Sequence, residues 1–207
     1  MLTQNVNLNN ASILVTGAAG FIGSNLVMEL LRTAKGAKIV GLDNVNDYYD
    51  VSIKEYRLAE IDKLASASPD NDWIMVRGNL ADRPLIDRLF AEHHFSVVVN
   101  LAAQAGVRHS INHPDVYVES NIIGFYNILE ACRATMGTPH AVEHLVYASS
   151  SSIYGNNTKI PYSTDDKADS PVSLYAATKK SNELMGQTAP RIPDPALSAF
   201  RQPRWRD

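Results

Sequence analysis

The sequence predicts an α/β fold, a doubly wound parallel sheet with helices on both faces. Short β-branched apolar runs recur along the chain, such as 13–15 (ILV) and 97–99 (VVV), and longer amphipathic stretches separate them. The apolar runs are continuous rather than alternating, as strands covered on both faces require.

In chain order, residues 11–17 (ASILVTG) read as a buried first strand and residues 21–33 as the helix that follows. Residues 38–43 (KIVGLD) form the second strand, and a polar stretch from 52 to about 65 is helical in pattern. Residues 73–79 (WIMVRGN) give a third strand. Residues 83–93 give a helix, with Asp82 as its N-cap and Pro84 in its first turn. Residues 95–103 (FSVVVNLAA) are the fourth strand. Residues 114–134 read as one long helix with apolar positions at Val116, Ile123, Ile128 and Leu129, interrupted only by Gly124. Residues 144–150 (HLVYASS) are the fifth strand and 172–187 a final helix. No internal repeat or low-complexity tract is present, so residues 1–189 read as one domain.

Composition narrows the function. The 207 residues are 45% hydrophobic and 20% charged, which fits a folded globular chain. A net charge of -3 gives no electrostatic reason to expect nucleic acid as a partner. The apolar runs fall far short of the roughly 20 residues that span a bilayer, and the N-terminus lacks a basic cluster and an apolar signal core. A lone Cys132 excludes an internal disulfide and suits a reducing cytoplasm, the expected location. With no base beside it in sequence, Cys132 reads as a buried structural thiol. The six histidines show no ligand spacing, and no metal is expected.

The first strand runs into Thr16-Gly17-Ala18-Ala19-Gly20-Phe21-Ile22-Gly23. Glycines there let a pyrophosphate reach the backbone N–H groups at a helix N-terminus. The spacing is GxxGxxG rather than GxGxxG, and by itself the triplet fits a tight turn equally well. Its place at a strand-to-helix junction favours a dinucleotide, as does Asp43 at the end of the second strand, twenty residues after Gly23. An acidic side chain there accepts hydrogen bonds from ribose hydroxyls and repels a 2′-phosphate. Asn44 stands where a phosphate-reading arginine would sit, so NAD is expected over NADP. A plain turn residue is the alternative for Asp43.

Tyr175 and Lys179 lie four residues apart in the final helix and share a face. A nearby ammonium lowers a phenol's pKa from about 10, which makes Tyr175 a candidate general base. YxxxK is common on solvated helix faces, so the serine run Ser149-Ser150-Ser151-Ser152 matters. It ends the fifth strand, and ligands of doubly wound sheets sit beyond the carboxyl ends of the strands. A hydroxyl there can bond the oxygen that Tyr175 deprotonates, although a polar strand exit accounts for some of the four.

TGAAGFIG, NLAAQAGV, YASSSSIYG and YAATK, in that order, resemble the extended short-chain dehydrogenase/reductase family, with its Rossmann-type NAD-binding domain. Within it, LDNVNDYYDVSIKEYRL, LAAQAGVRHSINHP and PVSLYAATKKSNELM are similar to UDP-glucuronate 4-epimerases. The resemblance covers about residues 11–188. It implies an NAD-dependent interconversion of UDP-glucuronate and UDP-galacturonate by transient oxidation at C4. UDP-glucose or another UDP-sugar is the alternative substrate. It implies that Phe21 and Ile22 lie against the pyrophosphate, that Asp43 binds ribose, and that Asn79 and Leu80 meet adenine, where the family usually has Asp at the first position. Leu101, Ala102, Ala103 and Gln104 would line the cofactor, with Asn121 near the nicotinamide. Ser150, Tyr175 and Lys179 would form the catalytic group, Lys179 also holding the nicotinamide ribose. Ser151 and Arg108 would face substrate, although an exposed structural role suits Arg108 as well. Related 4,6-dehydratases carry an acid pair where this chain has Ser151 and Ser152, so dehydration is not expected. The full-length family suggests a homodimer.

Residues 190–207 (PRIPDPALSAFRQPRWRD) hold four of the ten prolines and four arginines. Without them the chain has 15 basic and 20 acidic residues. Nothing after Thr188 resembles the family's sixth strand or its sugar-nucleotide domain. The tail reads as the product of a frameshift, truncation or misread frame, disordered and without a regular helix or central strand. A native specialised tail is the alternative. On that expectation the substrate domain is missing and the sheet ends at an unpaired fifth strand. Two further readings then stand beside an active epimerase: an inactive fragment, and an NAD-binding module without catalysis.

Overall fold

The computed structural model describes residues 6–159 and 161–188, and the backbone of Leu197–Phe200. Five strands, and the crossover helices that join the first four of them, fall where the hydrophobic pattern puts them. β1 (Ser12–Thr16) leads to α1 (Phe21–Thr33), β2 (Lys38–Asp43) to α2 (Val51–Ser66), and β3 (Asp72–Arg77) to α3 (Arg83–His93). β4 (Val97–Asn100) is followed by two short helices, α4 (His109–Asn112) and α5 (Pro114–Tyr117). A π-helical segment (Val118–Ile123) joins α5 to α6 (Gly124–Thr135). β5 (His144–Ala148), a 3-10 turn (Ser151–Tyr154) and α7 (Leu174–Thr188) complete the run to residue 188.

The strands pair in parallel in the order β3-β2-β1-β4-β5-β6. Crossing from β3 to β4 reverses the direction of winding, which opens a crevice at the carboxyl ends of β1 and β4. Alternate strand residues feed opposite cores. Leu14, Val40, Leu42 and Val98 pack with Leu89, Phe90, Phe125 and Ile128 from α3 and α6. Ile13, Val15, Ile39 and Val97 pack with Leu30, Leu31, Leu58 and Ile61 from α1 and α2. Both faces of the sheet are therefore dry, as the continuous apolar runs require. The expected cap of α3 forms: Asp82 accepts from the Leu85 N–H at 3.1 Å, with a proline in the first turn.

Two expectations need correction. The sheet does not end at β5, because β6 (Leu197–Phe200) pairs with it in parallel, Leu145 opposite Leu197 and Ala148 opposite Phe200. The prolines that argued against a strand lie at 190, 193 and 195, ahead of β6, and a sixth parallel strand can begin after them. Those residues, and 201–207, lie outside the described residues. The stretch 114–134 is not one α-helix either. Its middle turn has π geometry, which takes backbone carbonyls out of α-helical register. Within it, the Asn121 carbonyl accepts from Asn182 Nδ2 of α7, at 2.7 Å.

Candidate functional site

The crevice between the ends of β1, β2 and β4 is a cleft of about 800 Å³, including its open mouth. The loop after β1 forms its floor. Gly17 has φ +72°, and a side chain there would lie 2.9 Å from the Ala102 nitrogen. A side chain on Gly23 would run into the Gly17 carbonyl oxygen, so this third glycine serves the close approach of α1 to the loop. Thr16, fully buried, ties the two strand ends together. Its hydroxyl donates to Asn100 Oδ1 at 2.6 Å and accepts from the Ala102 N–H at 3.0 Å.

Asp43 ends β2 and its carboxylate is buried in the cleft wall. Oδ2 accepts from the Ala19 N–H at 3.0 Å and Oδ1 from the Val45 N–H at 2.8 Å. The side chain thus braces the glycine loop and keeps further lone pairs for a ligand. The opposite wall is Leu101, Ala102, Ala103 and Gln104. Gln104 is buried, its side chain packed at Tyr117. The glycine cradle and the acidic acceptor together suit a dinucleotide.

Of the residues expected at the cofactor, Gly17, Gly20, Asp43, Asn44, Asn79, Leu80 and 101–104 border the cleft. Phe21 (71% exposed) and Ile22 stand on the first turn of α1. Asn79 Oδ1 already accepts from the Ala81 N–H at 2.9 Å, and its amide donates to Glu119 Oε1 at 2.7 Å. Asn121 does not border the cleft. It acts through Gln104, whose N–H donates to Asn121 Oδ1 at 2.8 Å and whose carbonyl accepts from Asn121 Nδ2 at 3.0 Å. Sequence reasoning missed Asn46, Tyr48, Tyr49 and Lys54, which border the cleft beside Asp43. They carry no motif, and only the fold of the segment after β2 brings them there.

The second half of the site lies at the end of β5. Ser150 caps the 3-10 turn, and its Oγ accepts from the Ser152 N–H at 3.2 Å and the Ser152 hydroxyl at 2.9 Å. With both acceptor positions used, the Ser150 hydroxyl proton is left to donate outward. Lys179, 5% exposed, donates to the Ala148 carbonyl at 3.0 Å, and burial pushes its ammonium down to about 8. One turn on, Glu183 accepts from the Ser149 hydroxyl at 2.7 Å. Two side chains of α7 thus grip consecutive residues of the strand exit that carries Ser150. Tyr175, half-buried on α7, meets the buried Tyr117 ring edge-on, with centroids 6.1 Å apart.

Ser151 and Ser152 line a separate cavity of about 630 Å³ with Val107, Tyr162 and Ser173. Arg108 is exposed beside Val107 and borders neither cavity. Cys132 is fully buried in α6, and burial pushes its thiol far up, so it is the inert structural thiol expected. Among the described residues, no three His, Cys, Asp or Glu side chains gather as a metal site would need, and no helix is long and apolar enough to cross a membrane.

Comparison with known proteins agrees with this geometry. A family model described as GDP-mannose 4,6 dehydratase matches residues 14–190. Protein CapI of Staphylococcus aureus is 49% identical over 176 residues, 85% of this chain and 48% of its own length. UDP-glucuronate 4-epimerase 2 of Arabidopsis thaliana is 44% identical over 193 residues, 93% of this chain and 42% of its own. Among solved structures, the UDP-glucuronic acid 4-epimerase of Bacillus cereus, in complex with UDP-glucuronic acid and NAD, superposes with a TM-score of 0.73 at 28% identity. That match covers 92% of this chain and 55% of the other. The chain spans about half the length of the curated relatives it matches.

Proposed function

The chain belongs to the family described by the GDP-mannose 4,6 dehydratase model, and on that premise we propose that it binds NAD in the glycine-loop cleft and serves C4 epimerisation of a UDP-hexuronate, interconverting UDP-glucuronate and UDP-galacturonate. The observation that carries this reading is the docking of α7 on the exit of β5. There Lys179, four residues after Tyr175, holds Ala148, two residues before Ser150. Gly17, Gly20, Asp43 and the 101–104 wall would hold the cofactor, and Asn121 would set the Gln104 backbone within it. Bound there, NAD would supply reversible hydride acceptance at the sugar C4 without net consumption.

This chain's own residues supply the proton transfer. Tyr175 takes the proton of the sugar 4-hydroxyl as general base and gives it back after inversion. Ser150, whose Oγ already accepts twice, donates to the same sugar oxygen and holds it in place. Lys179, one turn along α7 from Tyr175, holds the exit of β5 against that helix. Ser151 and Ser152 favour epimerisation over dehydration, because a hydroxyl lacks the acid–base strength that elimination of water needs. The relatives whose names include UDP-glucuronate 4-epimerase support the choice of sugar.

Purified protein given C4-deuterated UDP-glucuronate is expected to form UDP-galacturonate that retains the deuterium. Tyr175→Phe is expected to lower turnover by a factor of about 100 or more. Absence of product from the wild-type chain overturns the epimerase reading, and binding of NAD without turnover then supports a cofactor-binding module. A Tyr175→Phe variant with normal turnover overturns the assignment of the base.

A further inference from the structure

A short turn connects the glycine-loop cleft to the cavity at the serine run, and one buried side chain holds it. Gln104 and Ala105 border the cleft, and Val107 borders the cavity that Ser151 and Ser152 line. Between them Gly106 turns the chain at φ +97°. The Tyr117 phenol oxygen, at the end of α5, lies 2.6 Å from both the Ala105 and the Gly106 carbonyl oxygens and shares its one proton between them. The Gln104 side chain packs at the same oxygen. Tyr117 is fully buried, and its ring meets the Tyr175 ring edge-on. Burial, with Tyr48 and Tyr175 nearby, raises the Tyr117 phenol above its ordinary range, so it keeps the proton that the two carbonyls accept.

We propose that Tyr117 is a positioning residue for the transfer at C4: its phenol fixes the 104–106 turn and its ring fixes Tyr175, so the cleft wall and the base keep one separation. Tyr117 borders neither cavity and acts through the groups it holds. It extends the grip of Asn121. Asn121 holds the Gln104 backbone from within the π segment, and Tyr117, four residues earlier, holds the next two carbonyls. Without the phenol oxygen those carbonyls lose their donor, and the turn is free to shift toward another. The transfer needs wall and base placed together around one H–C–O–H group of the sugar. A shift of about 1 Å between them therefore costs rate rather than substrate affinity.

This inference rests on the NAD-dependent reading of the site, and the experiment separates the two. Tyr117→Phe keeps the ring on Tyr175 and removes the oxygen. Well below its melting temperature, turnover of UDP-glucuronate is expected to fall about tenfold or more, with KM within about twofold of wild type. C4-deuterated substrate is expected to show a larger isotope effect in the variant, as hydride transfer becomes the slow step. Calorimetry gives a reading that needs no turnover. Affinity for NAD should fall about threefold or more while that for ADP stays within about twofold, since ADP lacks the half of the dinucleotide that reaches Tyr175. Should the variant unfold, Gly106→Ala supplies the same readings with Tyr117 in place, because a methyl group at φ +97° strains the turn and would meet the Tyr48 phenol oxygen at 2.5 Å. A lowered melting temperature with wild-type turnover and NAD affinity overturns the inference, since a merely structural role predicts that result. So does a loss carried by KM alone, or an equal loss of NAD and ADP affinity. A wild-type chain that binds neither ligand overturns the dinucleotide reading itself. If it binds NAD without turnover, the epimerase reading fails and the calorimetric split alone decides for or against Tyr117.

Discussion

The two halves of the site are built from different materials. Around β1 and β2, the cleft is shaped mostly by backbone: Gly17 and Gly23 remove side chains where main chains must nearly touch, and Asp43 braces the loop through two N–H groups. Around β5 and α7, side chains do the positioning, with Lys179 on Ala148, Glu183 on Ser149 and Asn182 on Asn121. A surface made of backbone fails when atoms are added, whereas one made of side-chain contacts fails when atoms are removed. Substitutions therefore probe the two halves in opposite directions.

The largest effect belongs to the first half. Gly23→Ala puts a methyl group against the Gly17 carbonyl, which the loop cannot yield without losing its approach to Ala102. A destabilisation of about 3 kcal/mol or more is expected in denaturant melts, with loss of dinucleotide affinity. A folded variant of wild-type stability would break the backbone half of the comparison.

The next effect, in the second half, depends on pH. Burial holds Lys179 near 8, while an unfolded lysine titrates at about 10.4. Below about pH 8 both states are protonated and the full cost of the buried charge is present. Between about 8 and 10.4 the unfolded chain still holds a proton that the folded chain has released, so stability rises with pH and the cost fades. A shift of that size costs about 3 kcal/mol, so Lys179→Met, which also loses the Ala148 hydrogen bond at about 1 kcal/mol, should raise stability by about 2 kcal/mol at pH 7 while abolishing turnover, and the gain should be gone by about pH 10.5. A gain independent of pH would show that the ammonium is not the source.

Smaller again is Glu183→Ala. It strips the Ser149 hydroxyl of its acceptor and the Lys180 ammonium of its carboxylate, 3.3 Å away, for an expected loss of about 1.5 kcal/mol. Glu183→Gln retains an acceptor for Ser149 and should lose less. Last, the Arg77–Glu55 pair on the outer edge of the first half is solvent-exposed. Arg77→Ala should leave the melting temperature unchanged within error.

The same division governs what could be read from the sequence. α1, β2 and α3 appear within a residue or two of their expected limits, because period, caps and β-branching are local signals; Asp82 and Pro84 mark the start of α3 directly. The glycine loop and Asp43 were legible for a related reason, since each marks a strand end, whereas the 101–104 wall followed only from the family resemblance. The π segment was not legible, because no local signal marks it, and the bond from Asn182 to the Asn121 carbonyl inside it joins residues 61 apart. β6 lay behind three prolines that correctly discourage a strand but stand before it rather than in it. Asn46 and Lys54 carry no motif, and eight residues of loop and helix must fold before they meet.

Calorimetric titration of the wild-type chain with NAD and NADP tests directly whether the crevice between β1 and β4 is an NAD site. One NAD per chain is expected, with NADP about tenfold weaker or worse because its 2′-phosphate meets the Asp43 carboxylate. No heat of binding with NAD, or NADP bound as tightly, would overturn that assignment.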